Sequence, residues 1–264
     1  MAGIPTPLKY TIQNSSLFLG NLLAYPFSRL ARHRLSHSYD MLVYPFFGER
    51  YVWLSHLLRN DDLEVVVAPL RAREHNTTEF ELLSIAALLK DNLVNTVFEI
   101  GTFDGRTTRA MAMNLLNEQG RIHTLNLPPD TSDVSLATDK IDVGLASKVV
   151  SGERFINTPQ EPLIEQLWGD SAKFDFSPYN NKIDMVFIDG AHSEDYVRID
   201  TQNSLKLIKP GGGIIIWHDS HLFGVKVFFK KWLKENHYPV YFVRNTTLAV
   251  MGVKNGQPFD FLQK

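Results

Sequence analysis

A chain of 264 residues with a formal net charge of −2 can hold one large α/β domain with an extension, or two modest domains, and can bury a sizeable core either way. Its 44 % hydrophobic and 21 % charged residues are those of an ordinary soluble globular protein, and there is no basic excess for gripping a phosphate backbone, so no nucleic acid partner is expected. The absence of cysteine excludes disulfides, thiolate nucleophiles and Cys-based metal centres, which leaves Asp, Glu, His and carbonyl oxygen as the only metal ligands.

In chain order, the first feature is the apolar stretch Leu17 to Phe27, interrupted by Asn21 and Pro26 and shorter than the roughly 20 residues that a bilayer crossing needs. It has neither the positive start nor the small-residue cleavage site of a secretory signal, and the expectation is a cytoplasmic protein. The basic residues Arg29, Arg32, His33 and Arg34 follow, so a peripheral membrane contact through residues 17–34 competes with a helix that simply packs as a lid or against a second copy. Residues 1–76 are read as an N-terminal extension, helical or irregular, whose aromatic content suggests a homodimer. Residues 77–264 are read as the main domain.

From Thr96 onward, short β-branched runs alternate with helical patterns, which is the pattern of a parallel sheet covered by helices. The expected strands are Thr96–Ile100, Arg121–Leu127, a third across Leu163–Trp168, Ile183–Ile188 and Ile214–Trp217, with a closing hairpin of Val240–Val243 and Leu248–Val253. The 3.6-residue spacing predicts helices over Arg106–Glu118, about Glu194–Ile208, and Val225–Glu235. Asp130 to Pro162 is polar and weakly periodic, and fits a helix or a loop equally. Pro128-Pro129 and Lys209-Pro-Gly-Gly-Gly213 are the breakers.

The first strand runs into Glu99-Ile-Gly-Thr-Phe-Asp-Gly105 and then a helix, an arrangement that offers backbone N–H groups and a close approach to a ligand. The glycine spacing is not the GxGxxG that accepts the pyrophosphate of a nicotinamide cofactor. An acid at the strand end, Glu99, would repel pyrophosphate and suit the cationic amino-acid part of S-adenosylmethionine (SAM).

EIGTFDGRTT, GDSAKFDFSPY, IDMVFIDGAH and KPGGGIIIWHD, in that order, resemble the class I SAM-dependent methyltransferases, in particular methyltransferase family 24, over about Thr77 to Val253. The resemblance implies a Rossmann-like seven-stranded, mostly parallel sheet with a reversed last strand and helices on both faces, with SAM across the carboxyl ends of the strands. It places Glu99, Gly101, Phe103 and Gly105 at the methionine part and Asp170 with Ser171 at the adenine; Thr102, Leu127, Asp189 and His192 complete the cofactor-binding set. Where the superfamily usually carries an acid for the ribose hydroxyls, this chain has Asn126, whose neutral amide accepts such a bond less strongly.

After the fourth and fifth strands lie Asp189-Gly-Ala-His192 and His218-Asp219, where an acceptor would meet the methyl group. The arrangement resembles metal-dependent O-methyltransferases acting on catechols and macrolide sugars. It implies Asp189, His218 and Asp219 as ligands of a divalent metal (Mg or Mn), with His192 as general base and Asp189 beside it in the catalytic set. His218 departs from the oxygen ligand that magnesium prefers, and Asp189 has an alternative use as a helix cap with no metal. His221 and Asp184 suit the chemistry less, and Trp217 and Tyr196 are expected to pack. The implied activity is O-methylation of a hydroxyl on a small molecule such as a sugar or natural product. The alternatives are an N-methyltransferase on the same fold and a catalytically degenerate SAM-binding protein.

Overall fold

The computed structural model describes residues 19, 50–60, 62–129, 131, 134–139, 142–144, 150–236 and 239–260. The chain divides into two compact units, residues 1–51 and 52–264. Apart from Leu19, the segment 17–34 lies outside the described residues, and so does nearly all of the first unit. The rest of the description concerns the second unit, together with a short strand β1 (Arg50–Val52) at its border.

Five strands run parallel: β2 (Thr96–Ile100), β3 (Arg121–Asn126), β4 (Ile164–Trp168), β5 (Met185–Ile188) and β6 (Gly213–Trp217). The hairpin strands are β7 (Val240–Val243) and β8 (Ala249–Lys254), and β8 lies antiparallel between β6 and β7. The resulting order β7-β8-β6-β5-β2-β3-β4 is the seven-stranded sheet with a reversed last strand that the motifs implied. The short strands β1 and β9 (Gln257–Phe259) bring the count to nine, two more than expected. Strand order reverses between β2 and β5, and the crevice beyond the carboxyl ends of strands at such a switch point is where open α/β sheets bind ligands.

Side chains alternate between the two faces of the sheet. Val97, Ile122, Phe187 and Ile216 join one core cluster with Ile85, Leu88 and Met111 from helices α2 (Glu79–Asp91) and α3 (Arg106–Ala112). On the other face Trp217 meets Phe229 of helix α5 (Phe223–Asn236), which packs with α4 (Glu194–Leu207). A short helix α1 (Leu54–Leu57) precedes these elements. Among the described residues no helix is long and apolar enough to cross a membrane.

Among the boundaries that differ from the expected ones, two stand out. Helix α3 stops at Ala112 rather than running to Glu118. The buried Asn114 side chain donates to the Val66 carbonyl and accepts from the Val66 amide, and Leu116 N–H donates to Val94 O, so long-range bonds replace the helical ones. The fourth strand begins at Met185, with Ile183 making only an isolated bridge to Ile208.

Candidate functional site

A cavity of about 900 Å³ opens at the carboxyl ends of β2 to β6. At its centre is the turn after β2. Gly101 adopts φ 100°, and a Cβ there would come within 2.1 Å of the Asp189 carbonyl oxygen, so only glycine lets the ends of β2 and β5 meet. Gly105, at φ 81°, caps α3 against Gly152 and Phe155. Of the residues expected to bind the cofactor around this turn, Gly101 and Phe103 line the cavity, whereas Glu99, Thr102 and Gly105 are not among its lining residues.

Glu99 is buried, and its carboxyl accepts the hydroxyl protons of Thr108 at 2.5 Å and Thr124 at 2.6 Å. Burial outweighs those bonds and pushes its pKa up to about 8, so at neutral pH it is mostly uncharged. Its place in the structure is at the end of a buried chain in which Gln166 Nε2 donates to Thr102 Oγ1, which pairs with Thr124 Oγ1 at 2.7 Å.

Asn126 lines the cavity with Leu127 at the end of β3. Its carbonyl oxygen accepts the Thr102 N–H at 3.4 Å and its amide donates to Ser151 Oγ at 3.0 Å. An amide can bridge a donor and an acceptor in this way, which a carboxylate cannot. Asp170 and Ser171 line the same end. Asp170 accepts from Ala172 N–H, Ser135 N–H and the Tyr196 hydroxyl, and although burial raises its pKa, these bonds hold it below the ordinary carboxylate range. Tyr196 therefore does more than pack: burial first, then Asp170, pushes its phenol up to about 12 and keeps it a donor. Trp217 packs as expected, its indole N–H donating to Thr201.

At the other end Asp189, His192, His218 and Asp219 all line the cavity, together with His75, Asn76 and His221. Asp219 sits at φ 51°, a left-handed conformation that turns the chain just after β6, with its N–H held by Thr247 Oγ1 at 3.2 Å. His218 is buried; its Nδ1 lies 2.9 Å from Asp189 Oδ1 and 3.4 Å from Asp219 Oδ2, and its Nε2 lies 3.4 Å from Glu81 Oε2. Burial opposes charge on that ring, but Asp189 and Asp219 raise its pKa well above the ordinary value.

Glu81 was not singled out from the sequence, where only its capping box with Thr78 is legible. Its two oxygens accept from Thr78 N–H, the Thr247 amide and hydroxyl, and His218; burial acts against its charge, and these bonds bring its pKa down to about 2. Asp142 was also missed. It accepts both the backbone N–H and ring Nδ1 of His192, each at 3.0 Å. His192 Nε2 is buried and faces Asp219 Oδ2 at 3.3 Å. Burial disfavours the charged ring, but Asp142 and Asp219 outweigh it and push the pKa up to about 10, while Asp219 itself is held well below the ordinary range by the two histidines despite its burial.

The ligand atoms of Asp189, His218 and Asp219 lie within 4.8 Å of one another, close enough for one ion. Glu81 behind His218 Nε2 matches the way a carboxylate commonly orients a metal-bound imidazole, which leaves Nδ1 to face the ion. The donor set therefore fits a divalent cation, and its single imidazole suits manganese, iron or zinc better than magnesium.

A sheet of this order with a glycine turn at its switch point is the doubly wound α/β arrangement that the motifs implied, with the cavity at the carboxyl ends of its strands. Residues 98–220 match a family model described as a methyltransferase domain. Among solved structures, the chain is similar to the O-methyltransferase TomG from Streptomyces achromogenes, solved with SAM (16 % identity, 68 % of this chain and 82 % of that one, TM-score 0.48). It is also similar to an O-methyltransferase from Bacillus cereus solved with S-adenosylhomocysteine, SAH (17 % identity, 69 % and 84 %, TM-score 0.48). A third is cofactor-bound Rv0187 from MTB (17 % identity, 70 % and 84 %, TM-score 0.48). No curated protein matches the chain.

Proposed function

We propose that the protein transfers the methyl group of SAM to a hydroxyl of a small molecule, with His192 as the proton acceptor. The observation that carries this reading is the placement of His192 in the wall of the cavity, its Nδ1 held by Asp142 at 3.0 Å and its Nε2 on the side of Asp219. Gly101, Phe103, Asn126, Leu127, Asp170 and Ser171 would hold the cofactor across the other end. Bound SAM supplies a methyl group already activated on sulfur, so the residues mainly have to align the acceptor and take its proton.

In the metal-stripped protein Asp142 and Asp219 favour the protonated ring, so activity without an ion is expected to rise with pH as the neutral fraction of His192 grows. Asp189, His218 and Asp219, backed by Glu81, would hold a divalent ion. The ion would supply Lewis acidity to the hydroxyl and neutralise carboxylates that keep His192 charged.

The test is label transfer from SAM to a panel of phenols, catechols and sugars, with metal-stripped protein and then with manganese or magnesium. Transfer is expected to be strongest to acidic or vicinal hydroxyls. SAH binding with no transfer to any hydroxyl would contradict the reading. Full activity in an Asp189→Asn/Asp219→Asn variant, without response to metal, would remove the ion from it.

A further inference from the structure

We infer that Asp142 is the positioning residue of the base, holding His192 by ring and backbone at once so that Nε2 is presented to the acceptor. The inference rests on His192 as proton acceptor. Oδ1 of Asp142 takes the ring Nδ1–H at 3.0 Å, and Oδ2 takes both the His192 backbone N–H at 3.0 Å and the Thr138 hydroxyl at 2.9 Å. A carboxylate that grips the amide and the ring of one histidine fixes the side-chain rotamer, and with Nδ1 as donor it leaves Nε2 as the acceptor nitrogen. Among the described residues no other carboxylate takes the Nδ1 side: Asp189 pairs with His218 Nδ1 at 2.9 Å, and Asp219 lies on the Nε2 side of the ring.

The stretch that carries Asp142 also reaches the cofactor end. Ser135 N–H donates to Asp170 Oδ2 at 2.7 Å, and Leu136 N–H donates at 3.4 Å to the Tyr196 hydroxyl, which itself donates to Asp170 Oδ1 at 3.0 Å. Val134, Thr138 and Asp142 all line the cavity. One short stretch between β3 and β4 therefore ties Asp170 to His192, and the same chain path that encloses the cofactor sets the base. In the transfer, the acceptor O–H bond breaks and its proton passes to Nε2, while the oxygen bonds to the methyl carbon. The carbon–sulfur bond breaks with its electron pair left on sulfur, giving a methyl ether, SAH and an imidazolium whose charge Asp142 stabilises from behind, as a carboxylate does for the histidine of a catalytic triad.

The test compares Asp142→Ala, Asp142→Asn and Asp142→Glu with the parent, using label transfer to the phenol and catechol panel and calorimetry with SAH. Removing an orienting carboxylate should lower kcat by about 10²-fold or more at saturating SAM, with the Kd for SAH within a few-fold, and glutamate should recover part of the loss. Adding Asp142→Ala to His192→Ala should cost nothing further, because the two act as a unit. A kcat that survives while SAH affinity collapses would show that Asp142 only encloses the cofactor, and additive losses would also overturn the inference. If no acceptor is turned over, the proposed function fails, and the pairing is then decided by NMR of histidine-labelled protein. A downfield ring N–H of His192 that disappears in Asp142→Asn or Asp142→Ala supports it, and an unchanged spectrum overturns it.

Discussion

The two ends of the cavity are built differently. At the end proposed for the cofactor, Gly101, Phe103, Asn126 and Asp170 each sit at or just after the carboxyl end of a parallel strand, and short motifs in the chain specify them. At the acceptor end the strand-end residues Asp189, His192, His218 and Asp219 become a working group only through two carboxylates from elsewhere, Glu81 at 137 residues from His218 and Asp142 at 50 residues from His192. Binding a shared cofactor needs backbone geometry, which local sequence encodes. Handling a proton needs charges set against each other in a buried place, which tertiary folding assembles.

The largest test of that contrast is His192→Ala, which should lower kcat by about 10²–10⁴-fold while SAH still binds, because a positioned base typically contributes that much. Turnover kinetics beside calorimetry will show it; an equal loss of SAH affinity would mean that the two ends are not separable. Next is Glu81→Ala, which leaves buried His218 without one carboxylate and strips the acceptors from Thr78 and Thr247. Removing one partner of a buried ion pair costs about 3–5 kcal/mol, so a marked fall in Tm is expected, and a fall confined to activity would contradict the structural half of the role. Since Glu81 titrates near 2 when folded, its contribution is fully present above the unfolded value of 4.5 and is lost as pH falls through about 2.

Glu99→Gln tests the other end. A carboxyl whose folded pKa is about 8 binds its proton more tightly than the unfolded chain does, so stability falls as pH rises between the unfolded value of 4.5 and 8. The variant should remove that slope and gain a few kcal/mol at pH 8 relative to pH 5, read from urea unfolding at both pH values. An identical pH slope in both proteins would mean that Glu99 is ionised in place. The smallest effect is expected from Asn126→Asp. A carboxylate strengthens ribose hydrogen bonds, and the Ser151 hydroxyl can reverse its role to donate, so SAH should bind a few-fold tighter, about 1 kcal/mol by calorimetry.

The fold was legible from the sequence because β2, β5 and β6 are largely apolar runs bounded by glycine, proline or polar turns, and β5, buried throughout, is the plainest case. Periodicity alone carries helix α3 to Glu118, because it holds no sign of Asn114 bonding across to Val66. An aromatic at a helical spacing, such as Tyr196, implies packing, and its hydroxyl also reaches Asp170. An acid at a strand end implies a charge facing the ligand, whereas the structure buries Glu99 among threonine hydroxyls, one from β3 and one from α3. Asp142 lies in a polar stretch without periodicity, and nothing local distinguishes it from its neighbour Asp139.

The most direct test of the central claim, a cofactor end and a proton-handling end in one SAM-dependent cavity, is calorimetric titration of the metal-stripped protein with SAH, beside Asp170→Ala and His192→Ala. The account predicts one SAH per chain, weakened at least tenfold by Asp170→Ala and little changed by His192→Ala. Absence of SAH binding to the parent protein, or equal weakening by both variants, would contradict it.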